Sequence, residues 1–213
     1  MWQISQLDHR LNMRLINLIP GTHEWKSWRR TKITASDAPS ILGTSPWKSI
    51  SDLYIEKLFK IEKDDNHFMS RGRYLEPIAL QAFEEETGLI MFPAVVESDT
   101  MDWMGASLDG LTIDQKAFIE IKCPGQKDHS EAMRGMVPKK YEAQLQHQIA
   151  CTGLDSCFYY SFDGEKGIII EVKRDQAFID NLVEKEFEFW QCLQNLTPPI
   201  VTGKQESSPV QAI

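Results

Sequence analysis

The 213-residue sequence has no run of eighteen apolar residues, so no segment is expected to cross a membrane. Its N-terminus lacks the unbroken apolar core of a secretion signal, because Asp8, Arg10 and Arg14 interrupt it. Four cysteines are present, Cys123, Cys151, Cys157 and Cys192, and none stands in a Cys-x-x-Cys pair. That spacing argues against a zinc or iron–sulfur site and leaves plain thiols in a reducing cytoplasm. There is no internal repeat, and the length suits one well-cored domain, placed over residues 1–196 with a polar, proline-containing tail over 197–213. Net positive charge is also missing: the formal sum is −8. Distribution qualifies that sum. Lys26 to Lys32 holds four cations and no acid, Lys122 to Lys140 is net basic, and acid gathers in Glu84-Glu85-Glu86 and between Asp175 and Glu188.

What is present is a pattern of three charges on a hairpin. Asp114-Gln115-Lys116 separates two apolar, turn-bounded runs, Ala106–Ile113 and Ala117–Lys122, which predicts two strands and a tight turn. A turn centred between Asp114 and Gln115 pairs residues whose numbers sum to 229, so Asp109 faces Glu120. Side chains alternate along a strand, which puts Lys122 on the face of Glu120. Opposed carboxylates have Cβ atoms roughly 5 Å apart and repel unless a cation lies between them. Mg²⁺ takes oxygen ligands from one or two carboxylates, and a nearby lysine can orient the attacking water. Asp-x10-Glu-x-Lys therefore suits metal-assisted phosphodiester hydrolysis; a surface hairpin with ordinary charges is the bland alternative.

Periodicity supplies the surroundings. Leucines 7, 11, 15 and 18 predict an N-terminal helix ended by Pro20-Gly21. Thr34 to Asp37 offers caps to a short helix through Leu42, where a phosphate could also meet backbone N–H groups. Further helices are expected from Ser51, over Tyr74–Thr87 with Pro77 in the first turn, over Lys139–Thr152 and over Gln176–Asn195. Strands are expected at Val95-Val96, Cys157–Phe162 and Gly167–Lys173, the last two in mid-sheet. Gly125–Pro138 reads as a loop, with His129 on its surface. Trp28, Trp47 and Trp103 are candidates for wedging or stacking against bases, with core packing the alternative.

Five ordered blocks then carry a family resemblance: Trp25-x3-Arg29 leading to Ile33-Thr34-Ala35-Ser36, Arg71–Pro77, Ser107-Leu108-Asp109-Gly110, Ile119–Pro124, and Tyr141-x2-Gln144. The chain resembles the PD-(D/E)XK nuclease superfamily and, within it, the lambda-exonuclease-like (YqaJ-type viral recombinase) family. The motif departs from the superfamily's signature in having Leu108, not proline, before Asp109. The resemblance implies an α/β restriction-endonuclease-like fold, a mixed central sheet flanked by helices. It implies Asp109, Glu120 and the Ile121 backbone carbonyl as ligands for one or two Mg²⁺ ions, with Mn²⁺ able to substitute. It gives Lys122 the positioning of water, and makes Gln144 and Glu76 members of the catalytic set. Arg29 and Ser36 would hold a 5′-phosphate, with Tyr141, Arg30 and Lys32 along the DNA. The activity implied is a 5′→3′ exonuclease on linear double-stranded DNA, leaving a 3′ single strand for phage-type recombination in a bacterial cytoplasm. A homotrimer and a single-strand annealing protein are the implied partners. A structure-specific or restriction-like endonuclease, and a nuclease-like DNA-binding module with a dead site, are the alternatives.

Overall fold

A computed structural model describes residues 13–59, 61 and 67–200. The described chain wraps one seven-stranded sheet in the order β1-β3-β4-β5-β6-β7, with β2 paired to β4 off that path. β1 (Met13–Ile16) runs antiparallel to β3 (Met91–Ser98), and β3 antiparallel to β4 (Met104–Thr112). β4 turns back into β5 (Phe118–Lys122), β5 is parallel to β6 (Ser156–Phe162), and β7 (Gly167–Lys173) closes the order antiparallel to β6. β2 (Ile33–Thr34) lies parallel to β4. The sheet is thus mixed, as expected.

The parallel β5–β6 pair needs a crossover, and α5 (Gln126–Ala132) and α6 (Lys139–Thr152) supply it. α6 ends where Gly153 takes φ 74°, a left-handed turn that costs glycine little. It packs with α2 (Ala38–Ile41) and α7 (Gln176–Gln194) against one side of the sheet, over Leu108, Phe118, Leu145, Ile149, Tyr159 and Phe189. α4 (His67–Thr87) covers part of the other side, burying Ala79 and Phe83 against Ile119, Ile121 and Tyr160. α1 (His23–Thr31) and α3 (Ile50–Phe59) complete the set. α1 is capped by Thr22, whose hydroxyl accepts from the Trp25 N–H at 3.3 Å.

Several expectations change. Residues 13–16 form a strand, not the end of a helix; pairing of Leu15 with Val96 and Ile16 with Val95 satisfies the outer edge of β3. The rest of that expected helix, residues 1–12, lies outside the described residues, as do residues 201–213 of the tail. α4 begins at His67, so Pro77 lies inside the helix and not in its first turn. α5 occupies what reads as a loop. His129 is buried there, Nδ1 2.9 Å from Ser161 Oγ, because β6 offers it a hydroxyl beneath the crossover. β7 is the last strand of the sheet, and its side chains are mostly half-buried. The Asp37 carboxylate does not cap α2. It turns back to accept from the Thr34 N–H and hydroxyl, each at 2.8 Å, and pairs with Lys57 at 2.7 Å.

Candidate active site

The hairpin register is the expected one: Gly110 pairs with Ile119 and Leu111 with Phe118. Beyond Gly110 the strands stop pairing. On the other side of β4, Phe92 faces Leu111 but Ala94 faces Leu108, so β4 holds one extra residue at Asp109–Gly110 opposite Pro93. This is a β-bulge, which re-aims a side chain and interrupts a ladder. Pro93, which lacks an N–H to donate, and Gly110, whose hydrogen faces Met91 and Ile119 closely, both suit it. The freed Asp109 carboxylate turns onto β5, where Oδ2 accepts from the Ile121 N–H at 2.7 Å.

Glu120, only 3% exposed, lies across from it. Its Oε1 accepts from Lys122 Nζ and from Gln144 Nε2, both at 2.5 Å, and its Oε2 accepts from Gln148 Nε2 at 2.5 Å. Gln144 and Gln148 stand one turn apart on α6 and so reach the same carboxylate. A buried carboxylate is tolerated when it is paired and hydrogen-bonded, and Glu120 is both. Gln148 is the member that sequence reasoning left out. Its position on the Tyr141–Gln144 face of α6 was the available signal.

Charge accumulates at this point. Burial first, then Glu120 and Glu76, push the Asp109 carboxyl well above its usual range, with Lys122 and the Ile121 N–H opposing. Glu76 opens to solvent on one flank, yet burial and the Glu120 charge raise its carboxyl too. Burial disfavours the Lys122 ammonium, but Glu120 and Asp109 outweigh it and raise its pKa, so Lys122 stays charged. Three carboxyls crowd around one ammonium, and the raised Asp109 and Glu76 carboxyls reflect burial and a mutual repulsion that a hard divalent cation would relieve. Among the described residues no group of three or more His, Cys, Asp or Glu side chains is arranged to hold a metal by itself. Mg²⁺ does not require such a cage, since it is commonly held by one or two carboxylates with water and phosphate. The oxygen donors of Asp109 and Glu120, with the Ile121 carbonyl between Glu120 and Lys122 in β5, suit that chemistry.

The flanks separate the remaining candidates. Arg29 donates to Ser36 Oγ at 2.7 Å and lies 4.6 Å from the centre of the Trp25 ring. Trp25 donates to Ser107 Oγ at 2.8 Å, two residues before Asp109, which ties this pair to the hairpin. Tyr141 lies with its ring 5.3 Å from Lys122 Nζ. Lys32 is engaged elsewhere, on the Asp102 carbonyl and on Glu97 at 3.1 Å. Arg30 and Lys32 line a cavity of about 140 Å³ with Lys57, Trp190 and Leu193. Arg71, on α4, donates to the carbonyls of Cys123 and Asp163, each at 2.7 Å, and so clamps the chain after β5.

A mixed sheet whose bulged central hairpin presents Asp109, Glu120 and Lys122 to a glutamine-bearing helix defines the PD-(D/E)XK nuclease fold class. The same fold is found in the alkaline exonuclease LHK-Exo from Laribacter hongkongensis, solved alone and in complex with dAMP. Those structures match with TM-scores of 0.71 and 0.72 at 30% identity, covering 82% of this chain and 94% of theirs. A phage-related exonuclease from Haemophilus somnus 129PT shares the fold, at TM-score 0.58 and 14% identity over 81% of this chain and all of that one. Within that class, the chain belongs to the YqaJ-like viral recombinase domain family, whose sequence model matches residues 24–155. It is 28% identical over 174 residues to the uncharacterized protein YqaJ of Bacillus subtilis (strain 168), covering 78% of this chain and 54% of that protein. The chain thus spans about half the length of that curated relative. No helix among the described residues is long and apolar enough to cross a membrane.

Proposed function

We propose that this chain is a Mg²⁺-dependent nuclease that degrades one strand of linear double-stranded DNA from its 5′ end, leaving a 3′ strand for recombination. The observation that carries this reading is the convergence of Lys122, Gln144 and Gln148 on the buried Glu120 carboxylate, next to the bulge-directed Asp109. Family membership and the likeness to an alkaline exonuclease support it.

Asp109, Glu120 and the Ile121 carbonyl would hold one or two Mg²⁺ ions, with Mn²⁺ as a substitute. When bound, the ion polarises the phosphoryl oxygen and makes its bound water a better nucleophile. Lys122, held as an ammonium, orients the attacking water and offsets negative charge developing on the phosphoryl group. Gln144 and Gln148 fix the Glu120 carboxylate, and Glu76 adds an acceptor on the α4 side. Arg29 and Ser36 hold the 5′-phosphate and so fix the reacting bond relative to Lys122. A homotrimer encircling the duplex and a partner annealing protein belong to the same proposal; the trimer is checked by mass photometry.

The test uses one duplex in three forms: linear with 5′-phosphate, linear with 5′-hydroxyl, and closed circular. Nucleotides should be released with Mg²⁺, not with EDTA, fastest from the phosphorylated end and not from the circle. Asp109→Asn should lower the rate at least about a hundredfold, a loss typical of removing one charge-stabilising group. Undiminished release by Asp109→Asn removes the mechanism. Cleavage of the circle converts the reading to an endonuclease. Equal rates on the two linear ends, in wild type and in Arg29→Ala, remove the phosphate pocket.

A further inference from the structure

The three tryptophans singled out in the sequence have different fates. Trp103 is buried, and Trp28 is half-buried with its indole N–H on Glu97 at 2.6 Å. Trp47 is 65% exposed. Its loop is nevertheless pinned: Thr44 and Ser45 donate their N–H groups to the Pro39 carbonyl at 2.8 and 2.9 Å, and Ser45 Oγ accepts from the N–H groups of Trp47 and Lys48, each at 3.2 Å. A large aromatic face held out to water on a fixed loop is unusual, because burial would stabilise it.

The neighbours of Trp47 lead to the active site. Its ring centre is 6.5 Å from that of Tyr141 and tilted by 30°, and Tyr141 in turn lies 6.0 Å from Tyr159 at 31°. Lys140 Nζ sits 5.0 Å from the Trp47 ring and 5.1 Å from the Tyr141 ring, anchored by Asp128 at 2.5 Å. Tyr141 also meets Lys122 Nζ, which holds Glu120. A file of aromatic rings and ammonium groups thus runs from the catalytic lysine to an exposed indole. Aromatic faces with lysines beside them accept bases of any sequence by stacking, while the ammonium groups meet the backbone.

We propose that Trp47 is a substrate-positioning residue: its exposed face stacks a base of the strand being cut, next to the scissile phosphate, with Tyr141 and Lys140 setting its orientation. The inference rests on the nuclease reading above. A base can offer a free face to Trp47 only at the duplex end or after leaving its partner, so the contact belongs to the end of the strand under attack.

The experiment pairs enzyme variants with abasic substrates. Phosphorylated linear duplexes carry an abasic nucleotide at the first, second or third position of the 5′ end. With intact bases, Trp47→Ala should lower kcat/KM roughly 5- to 100-fold, Trp47→Phe should recover most of it, and the melting temperature should not fall. At one of the three positions, removal of the base should cost wild type about that same factor and cost Trp47→Ala almost nothing. Equal sensitivity of both proteins to base removal at all three positions overturns the proposal. So does an unchanged kcat/KM in Trp47→Ala. If wild type itself releases no nucleotide, the nuclease reading fails separately. Stacking is then read from fluorescence anisotropy of a labelled duplex with a short 5′ single-stranded tail, and equal affinities of wild type and Trp47→Ala overturn it.

Discussion

Glu120 gathers its donors from two elements, Lys122 from its own strand and two glutamines from α6. Hydrogen bonds to a charged acceptor are worth about 1.5–3 kcal/mol each. Gln148→Leu should therefore lower the nuclease rate roughly 10- to 150-fold, seen as a fall in kcat with KM little changed, because it frees one oxygen of the carboxylate without touching substrate. Next to Gln148 in the chain, His147 forms a wholly buried pair with Glu186 at 2.7 Å, and His147 Nε2 also meets the Gly105 carbonyl at 3.0 Å. A carbonyl only accepts, so Nε2 carries a proton, and the Nδ1–Glu186 contact holds the second. Burial opposes the charge on His147, yet Glu186 outweighs it and raises the histidine above 6.5. Burial raises the Glu186 carboxyl as well, so both directions agree that the pair retains its proton. A raised folded-state value means that the stabilisation is complete below pH 6.5 and fades as pH rises through the folded value. His147→Gln should cost about 3–5 kcal/mol at pH 6, since it strands a buried acid. Urea unfolding as a function of pH should show that gap narrowing above pH 6.5. A gap independent of pH would assign the loss to packing alone.

The bulge in β4 shows what the sequence discloses and what it conceals. Turn composition and apolar runs were enough to give the β4–β5 register, and the apolar spacing of α6 with Gly153 behind it was enough to give both ends of that helix. These are local signals. The extra residue at Asp109–Gly110 depends on Pro93 in a strand that only tertiary pairing brings alongside, so no local pattern announces it. The same reason hides the edge position of β7, the strand at Met13–Ile16 and the burial of His129, each of which is decided by a distant partner. In α4, Gly72 and Pro77 interrupt the helical pattern although the helix continues through both. A Cβ at Gly110 would lie 2.7 Å from Met91 Cβ and 2.8 Å from Ile119 Cγ2. Gly110→Ala should thus destabilise the fold by about 1–3 kcal/mol, the usual cost of overpacking. It should also lower nuclease activity beyond what the residual folded fraction explains, because the strand that aims Asp109 must shift. Denaturation and assay of the same preparation separate the two effects.

A chain of net charge −8 that is proposed to act on DNA has few cations to spare, and the ion pairs of the described residues occupy many of them. Arg14 and Lys32 meet Glu97, Lys57 meets Asp37, Lys48 meets Glu56, and Lys173 meets Glu171. Within the site and its flanks, Arg29 lies with Ser36 and Trp25, Lys122 with Glu120, and Lys140 between two aromatic rings with Asp128. In the proposed mode of action those three meet phosphate. Each phosphate neutralised on duplex DNA contributes a slope of about −0.9 to the dependence of log affinity on log salt concentration. Binding of a phosphorylated duplex end in EDTA should therefore show a slope near about −3, and Arg29→Ala should lessen it by about one unit. Such weak electrostatic holding would suit the proposed exonuclease, which advances along the strand after every cut, with the proposed stacking and end recognition supplying the remainder of the grip. A slope of about −6 or steeper would mean that further cations of the Lys26–Lys32 segment leave their present contacts to meet the duplex. Activity would then fall steeply with salt, whereas the three-contact arrangement predicts a shallow decline over the same range.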